Sequence, residues 1–98
     1  MDGAQFIGLN ELDPLQQEEV RGVVGEFLHK FRKILPEFKD VIVHIKQYGK
    51  GGNPKFSVHL RLNAPAQIAE ASADDLILTK GVHAAFDALQ KQVAHLHR

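Results

Sequence analysis

Residues 69–89 read AEASADDLILTKGVHAAFDAL, and this stretch decides the fold that the sequence predicts. In its first part alanine alternates with Glu70 and Ser72, which predicts a strand over 67–73 with almost no side-chain volume on its inner face. A helix can pack very close to such a face. Apolar residues then recur at helical spacing, which predicts a last helix over 82–97 lying on that strand.

The first third of the chain predicts a strand followed by a long helix. Ala4–Leu9 is short and apolar, as expected of a strand. Asp13 is a good N-cap, Pro14 suits the first helical position, and Gln16 follows the cap by three residues, as in a capping box. The helix is expected to end before Pro36. Its apolar stripe consists of Val20, Val23, Val24, Phe27, Phe31 and Ile34.

The middle of the chain predicts an antiparallel hairpin. Residues 41–48 and 55–63 alternate between apolar and polar side chains, so each strand has one solvent-facing side. Paired residue numbers that sum to about 103 would place His44 directly opposite His59. The glycine-rich stretch 49–54 is expected to form the turn.

The complete order is β-α-β-β-β-α within a single domain over 1–98. We expect an α+β fold in which a four-stranded sheet carries both helices on one face, as in double-stranded-RNA-binding domains. Asp74–Gly81 is expected to be a connection before the last helix. Asp74 and Asp75 would form its acidic turn and cap the residues that follow.

Composition excludes several classes of protein. The chain has 98 residues, of which 44% are hydrophobic and 24% charged, and it has no cysteine. Disulfides and thiolate metal sites are therefore excluded. No apolar run approaches the ~20 residues of a membrane span, and the acidic N-terminal stretch does not resemble a signal peptide. We expect a cytoplasmic protein with no membrane partner.

The sequence contains no recognisable catalytic or cofactor-binding motif. It has no phosphate-binding loop and no nucleophile elbow. His95 and His97 would point to different sides of a helix, and the His44–His59 pair lacks further ligands. We therefore predict no enzyme activity, no cofactor, no metal site and no small-molecule substrate. An alternative role for the six histidines is a basic surface that strengthens at low pH.

The net charge of zero conceals an uneven distribution. Residues 1–28 carry −5, residues 29–61 carry +6 and residues 62–98 carry −1. Three groups of bases result, on the first helix, the last helix and the polar side of the sheet. They are His29, Lys30 and Lys33; Lys91, His95 and Arg98; and Lys46, Lys55 and Arg61. A polyanion such as RNA would bind such a surface.

Two features of the helices have ordinary explanations as well. Lys30 can pair with Glu26 one turn earlier, and cations at the end of the last helix are favoured by the helix dipole. Gly22 and Gly25 each cost a helix about 1 kcal/mol relative to alanine. They are either tolerated on an exposed face or they flatten a ridge where a partner's backbone approaches.

The small-faced strand, the acidic turn and the last helix together resemble the end of the ribosome hibernation factors, also called sigma-factor modulation proteins. The resemblance implies the predicted fold and a partner, the small ribosomal subunit. Members of the family bind near the decoding region, overlap the tRNA and mRNA sites, and silence the ribosome under stress. By position, the implied rRNA-binding residues are His29, Lys30, Lys33, Lys91, His95 and Arg98.

The chain departs from the family pattern in three places. Gln92-Val93 stands where a lysine-leucine pair is typical, and His95 stands where the family has an arginine. The connection Leu76–Gly81 is longer than usual. The sequence also lacks the long C-terminal extension of the forms that dimerise ribosomes, so we expect a short form. The alternative function is a module of this fold that binds a protein, or a second copy of itself, through the exposed sheet face.

Overall fold

The computed structural model describes residues 3–49, 54–65 and 67–96. It contains a four-stranded sheet, two α-helices and a short 3₁₀ helix over Leu9–Glu11. The elements are β1 (Ala4–Ile7), α1 (Pro14–Ile34), β2 (Asp40–Tyr48), β3 (Lys55–Ala64), β4 (Gln67–Asp75) and α2 (Leu78–Leu96). The predicted element order and α+β class are confirmed.

The strands lie in sequence order in the sheet. β1 is parallel to β2, whereas β2–β3 and β3–β4 are antiparallel. α1 makes the crossover that a parallel pair requires. Since β4 runs in the same direction as β2 and α2 packs back along β4, the two helices run parallel to each other.

The core lies between one face of the sheet and both helices. The inner positions of β2 and β3 alternate with exposed or half-buried ones, as the sequence predicts. Ala69 and Ala71 are 2% and 8% exposed on the inner face of β4, against which α2 packs. The helices contribute the buried residues Val20, Val24, Phe27, Leu28, Phe31, Leu78, Val82, Ala85, Phe86, Leu89 and Val93.

The predicted capping box begins α1. The backbone N–H of Gln16 donates to the Asp13 carboxylate at 2.8 Å, and the Asp13 N–H donates to the Gln16 side chain at 3.3 Å. These two bonds satisfy donors that a helix start leaves unpaired. The helix ends at Ile34, two residues before Pro36.

The predicted hairpin register is also confirmed. Asp40 pairs with Asn63, and His44 lies directly opposite His59. Both histidines are exposed on the side of the sheet that the helices leave uncovered. We call this side the sheet face; it consists of Gln5, Ile7, Asp40, Ile42, His44, Lys46, Tyr48, Lys55, Ser57, His59, Arg61, Asn63, Ile68, Glu70, Ser72 and Asp74.

The predicted connection over 74–81 was wrong. Asp74 and Asp75 are the last residues of β4 rather than a turn, and α2 begins at Leu78. Asp75 still serves the connection, because its carboxylate accepts a bond from the Ile77 N–H at 2.9 Å. Gly81 lies inside the helix, where an added Cβ would stand 3.5 Å from atoms of Val58 and Asp75. The connection between β4 and α2 is therefore short. The prediction that it is longer than usual in the family was wrong as well.

The first strand is shorter than the predicted Ala4–Leu9. Gly8 has a φ of 85°, and a Cβ at this position would clash with the Ile45 carbonyl oxygen. Glycine adopts this left-handed conformation without steric cost. The chain therefore turns out of the sheet after Ile7, and Leu9 is buried as part of the 3₁₀ helix.

Candidate nucleic-acid interface

The last two turns of α1 present a cluster of bases to solvent. His29, Lys30 and Lys33 are all exposed, and their spacing of three and four residues makes them neighbours on the helix surface. Arg32 belongs to a different side, because its guanidinium lies 4.8 Å from the centre of the Phe38 ring. The structure therefore groups the three predicted α1 residues together and separates them from Arg32.

The two helices meet through aromatic rings. Phe27 and Phe86 stack with their centres 4.8 Å apart and their planes 13° apart. Phe31 approaches Phe86 at 6.1 Å, and the Phe27 and His83 rings make an edge-type contact with their centres 5.7 Å apart. Phe27 contacts His83, and Phe31, one turn later on α1, contacts Phe86, one turn later on α2. The residue numbers in contact therefore increase together along both helices. The basic end of α1 therefore lies alongside the later turns of α2.

The contribution of α2 to the basic surface is smaller than that of α1. Lys91 is exposed as predicted, but Asp87, also exposed, stands one turn before it and offsets its charge. The side chain of His95 and the whole of Arg98 lie outside the described residues. Of the three bases predicted on this helix, Lys91 is the one whose side chain the structure describes.

Gln92 has a structural role in this chain. Its side-chain amide donates to the Glu70 carbonyl oxygen on β4, which is the outer strand of the sheet. The bond links α2 to the edge strand and covers one of the backbone acceptors that an edge leaves unpaired. At the position where the hibernation factors typically carry a lysine, this side chain is therefore directed to the protein's own sheet.

Charge changes sign along α1. The exposed acids Glu18, Glu19 and Glu26 all precede the last two turns, which carry exposed lysines. Cations at the C-terminal end of a helix are favoured by its dipole, so the bases also stabilise α1 itself. A polyanion approaching this helix is attracted to its C-terminal half and repelled from the earlier turns.

A shallow concavity of about 590 Å³ lies on the solvent side of α1, where Gly22 and Gly25 leave no side chain. A Cβ added at Gly22 would have nothing within 4 Å, so the packing of the described residues does not require glycine there. Both interpretations of the glycine pair therefore stay open. The lining residues are Arg21, Gly22, Gly25, Glu26, His29 and Lys30.

The three bases of the sheet face are accompanied by acids. Glu70 lies opposite Arg61, and Asp74 lies opposite Ser57, which is itself opposite Lys46. Asp40, the third acid, accepts bonds from the Gln5 and Asn63 amides at 3.0 and 2.7 Å. With Lys55 included, three bases face three acids. This balance gives the sheet face a weaker attraction for RNA than the end of α1 has.

Within residues 3–49, 54–65 and 67–96, no three metal-binding side chains come together in a possible metal site. No helix in the described part of the chain is long and apolar enough to cross a membrane.

Solved structures with the same arrangement exist. One is a ribosomal subunit interface protein from Coxiella burnetii, 18% identical in sequence, with a TM-score of 0.70 over 96% of each chain. Another is the N-terminal domain of protein Y from Thermus thermophilus, 17% identical, with a TM-score of 0.74 over 98% of this chain and 99% of that domain. The chain has the fold of these two proteins. The resemblance inferred from the sequence is thereby confirmed for the fold.

Sequence comparison alone finds no such relationship. The chain matches no protein-family model, and a search of curated proteins gives no match. The likeness is therefore one of architecture, maintained from end to end at low sequence identity.

Proposed function

We propose that this chain is a ribosome-associated translation inhibitor of the hibernation-factor type, which binds rRNA of the small subunit near the decoding region. The observation that carries the proposal is the exposed lysine cluster at the end of α1, in a fold shared along its whole length with a ribosomal subunit interface protein. The sequence resemblance at 69–89 points to the same family independently of that superposition.

The binding surface would consist of bases from the two parallel helices. Lys30 and Lys33 on α1 and Lys91 on α2 would contact phosphates, with His29, His95 and Arg98 completing the surface. Phosphate contacts position a protein on RNA without reading its sequence, and each one adds salt dependence. Specificity would then come from the shape of the rRNA groove that accepts two helices side by side.

Inhibition by this route requires no chemical step. A protein that occupies the decoding region excludes tRNA and mRNA by volume, so the proposal assigns no catalytic residue, cofactor or small-molecule substrate. Its expected location is the cytoplasm, where the ribosomes are.

A second candidate is a module that binds a protein, or a second copy of this chain, through the sheet face. The observation that favours it is the exposure there of Ile7, Tyr48 and Ile68, at 50%, 41% and 57%, on a surface whose charges balance. Apolar side chains on a nearly neutral surface are typical of contacts with protein rather than with RNA. This candidate predicts binding that is insensitive to the helix lysines.

The first candidate is tested by co-sedimentation of the purified protein with isolated small and large ribosomal subunits over a series of salt concentrations. We expect saturable binding to the small subunit that weakens steeply as salt increases, because bound counterions are released from the rRNA. Absence of binding to the small subunit at low salt, or equal binding to both subunits, would contradict the proposal.

A further inference from the structure

Lys30 and His83 approach the same aromatic ring from different helices. The Lys30 ammonium lies 5.0 Å from the centre of the Phe27 ring, and the centre of the His83 ring lies 5.7 Å from it. Phe86 stacks on one face of Phe27 and is fully buried, so the ammonium covers the opposite face. Phe27 itself is only 4% exposed, whereas Lys30 and His83 are both exposed.

This arrangement holds two nitrogen-bearing side chains close together at the junction of the helices. Since both groups lie within 6 Å of one ring centre, the ammonium and the imidazole are less than about 11 Å apart. Two consecutive phosphates of one RNA strand can contact side chains that lie this close together. Contact with a ring face also restricts the lysine side chain before any ligand binds, which lowers the ordering cost of binding.

Each helix places one acid and one lysine next to the Lys30–His83 pair. On α1, Glu26 precedes Lys30 by one turn and Lys33 follows it; on α2, Lys80 precedes His83 and Asp87 follows it by one turn. The pair itself carries one positive charge when the imidazole is neutral and two when it is protonated. Histidine is the side chain that makes this change near physiological pH.

We propose that Lys30 and His83 form a phosphate-binding pair across the junction of α1 and α2, and that protonation of His83 strengthens its contact with the RNA backbone. This inference rests on the proposed function and adds a residue to its binding surface. Because a bound phosphate favours the protonated imidazole, affinity for RNA increases as the pH falls through the titration range of histidine.

The test measures the affinity of the protein for small ribosomal subunits at about pH 6 and about pH 7.5, at constant salt. Wild type is expected to bind at least about threefold more tightly at the lower pH. His83→Gln should lose a measurable part of this difference, and the rest belongs to His29 and His95 of the proposed surface. The matched control, His59→Gln, removes an exposed histidine from the sheet face and should retain it. Lys30→Met keeps an apolar cover over Phe27 and should weaken binding at both pH values.

Failure of the phosphate-binding pair and failure of the proposed function give different results in this test. If His83→Gln binds as wild type does at both pH values, the phosphate-binding pair is refuted while the proposed function stands. If His59→Gln loses the pH dependence instead, the sheet face is responsible and the pair is again refuted. If wild type binds no small subunit at either pH, both the pair and the proposed function are overturned. Thermal unfolding of each variant confirms that it is folded.

Discussion

Replacement of Lys33 and Lys91 together by glutamate is expected to lower the affinity for small ribosomal subunits by more than about 100-fold at about 0.1 M salt. In the proposed function, the double variant removes two favourable phosphate contacts, one from each helix, and adds two repulsive charges in the same places. Both side chains are exposed, so neither replacement should disturb the core. The measurement is the dissociation constant obtained by co-sedimentation at a single salt concentration.

The matched control is the replacement of Lys46 and Lys55 by glutamate. It changes the net charge of the protein by the same amount but does so on the sheet face, where both side chains are also exposed. Since charge effects over more than a Debye length are largely screened, we expect a loss of no more than about threefold. Equal losses of affinity in the two variants would mean that the bases of α1 and α2 are not the contact surface.

Phe86→Ala is expected to destabilise the protein by about 3–5 kcal/mol, the range found when a fully buried phenylalanine is truncated. Phe86 has no exposed surface and packs against both Phe27 and Phe31. Its loss leaves a cavity at the place where the two helices meet. For a domain of this size such a change removes a large fraction of the total stability, and urea unfolding measures it.

Leu15→Ala is the control for this stability experiment. Leu15 belongs to α1 but is 69% exposed, so its truncation should change the free energy of unfolding by less than about 0.5 kcal/mol. If Phe86→Ala cost no more than this control, the aromatic contact between the helices would not be what holds them together.

The elements that the sequence predicted correctly are those specified by local rules. The capping box depends on residues three apart, and the hairpin register follows from the alternation of two adjacent strands. The start of α2 does not follow from such rules. Gly81 was assigned to the connection, yet it lies in the first turn of α2, where the helix packs close to Val58 and Asp75.

The candidate site, too, was predicted only where local rules specify it. Helical spacing is enough to group His29, Lys30 and Lys33 on one exposed surface. The contact of Lys30 and His83 with one ring joins residues more than fifty positions apart, and it depends on how the helices pack. A hint was available, because His83 precedes the apolar Phe86 by three residues and so borders the buried stripe of α2.

The positions of the acids beside the bases of the sheet face could not be predicted from single strands. Glu70 lies opposite Arg61 because β4 pairs with β3 in this register, which offsets the charge of the sheet face there. The basic run 29–61 is therefore divided in space between an exposed cationic helix end and a nearly neutral sheet face. Net charge along the sequence did not reveal this division.

In the proposed function, the protein occupies the part of the small subunit where tRNA reads the codons of mRNA. The most direct measurement is competition between this protein and tRNA for small subunits programmed with a short mRNA. We expect bound tRNA to be displaced as the protein is added, and the Lys33 and Lys91 double variant to leave it bound at the same concentrations. Simultaneous binding of tRNA and saturating protein to the same subunit would contradict the account.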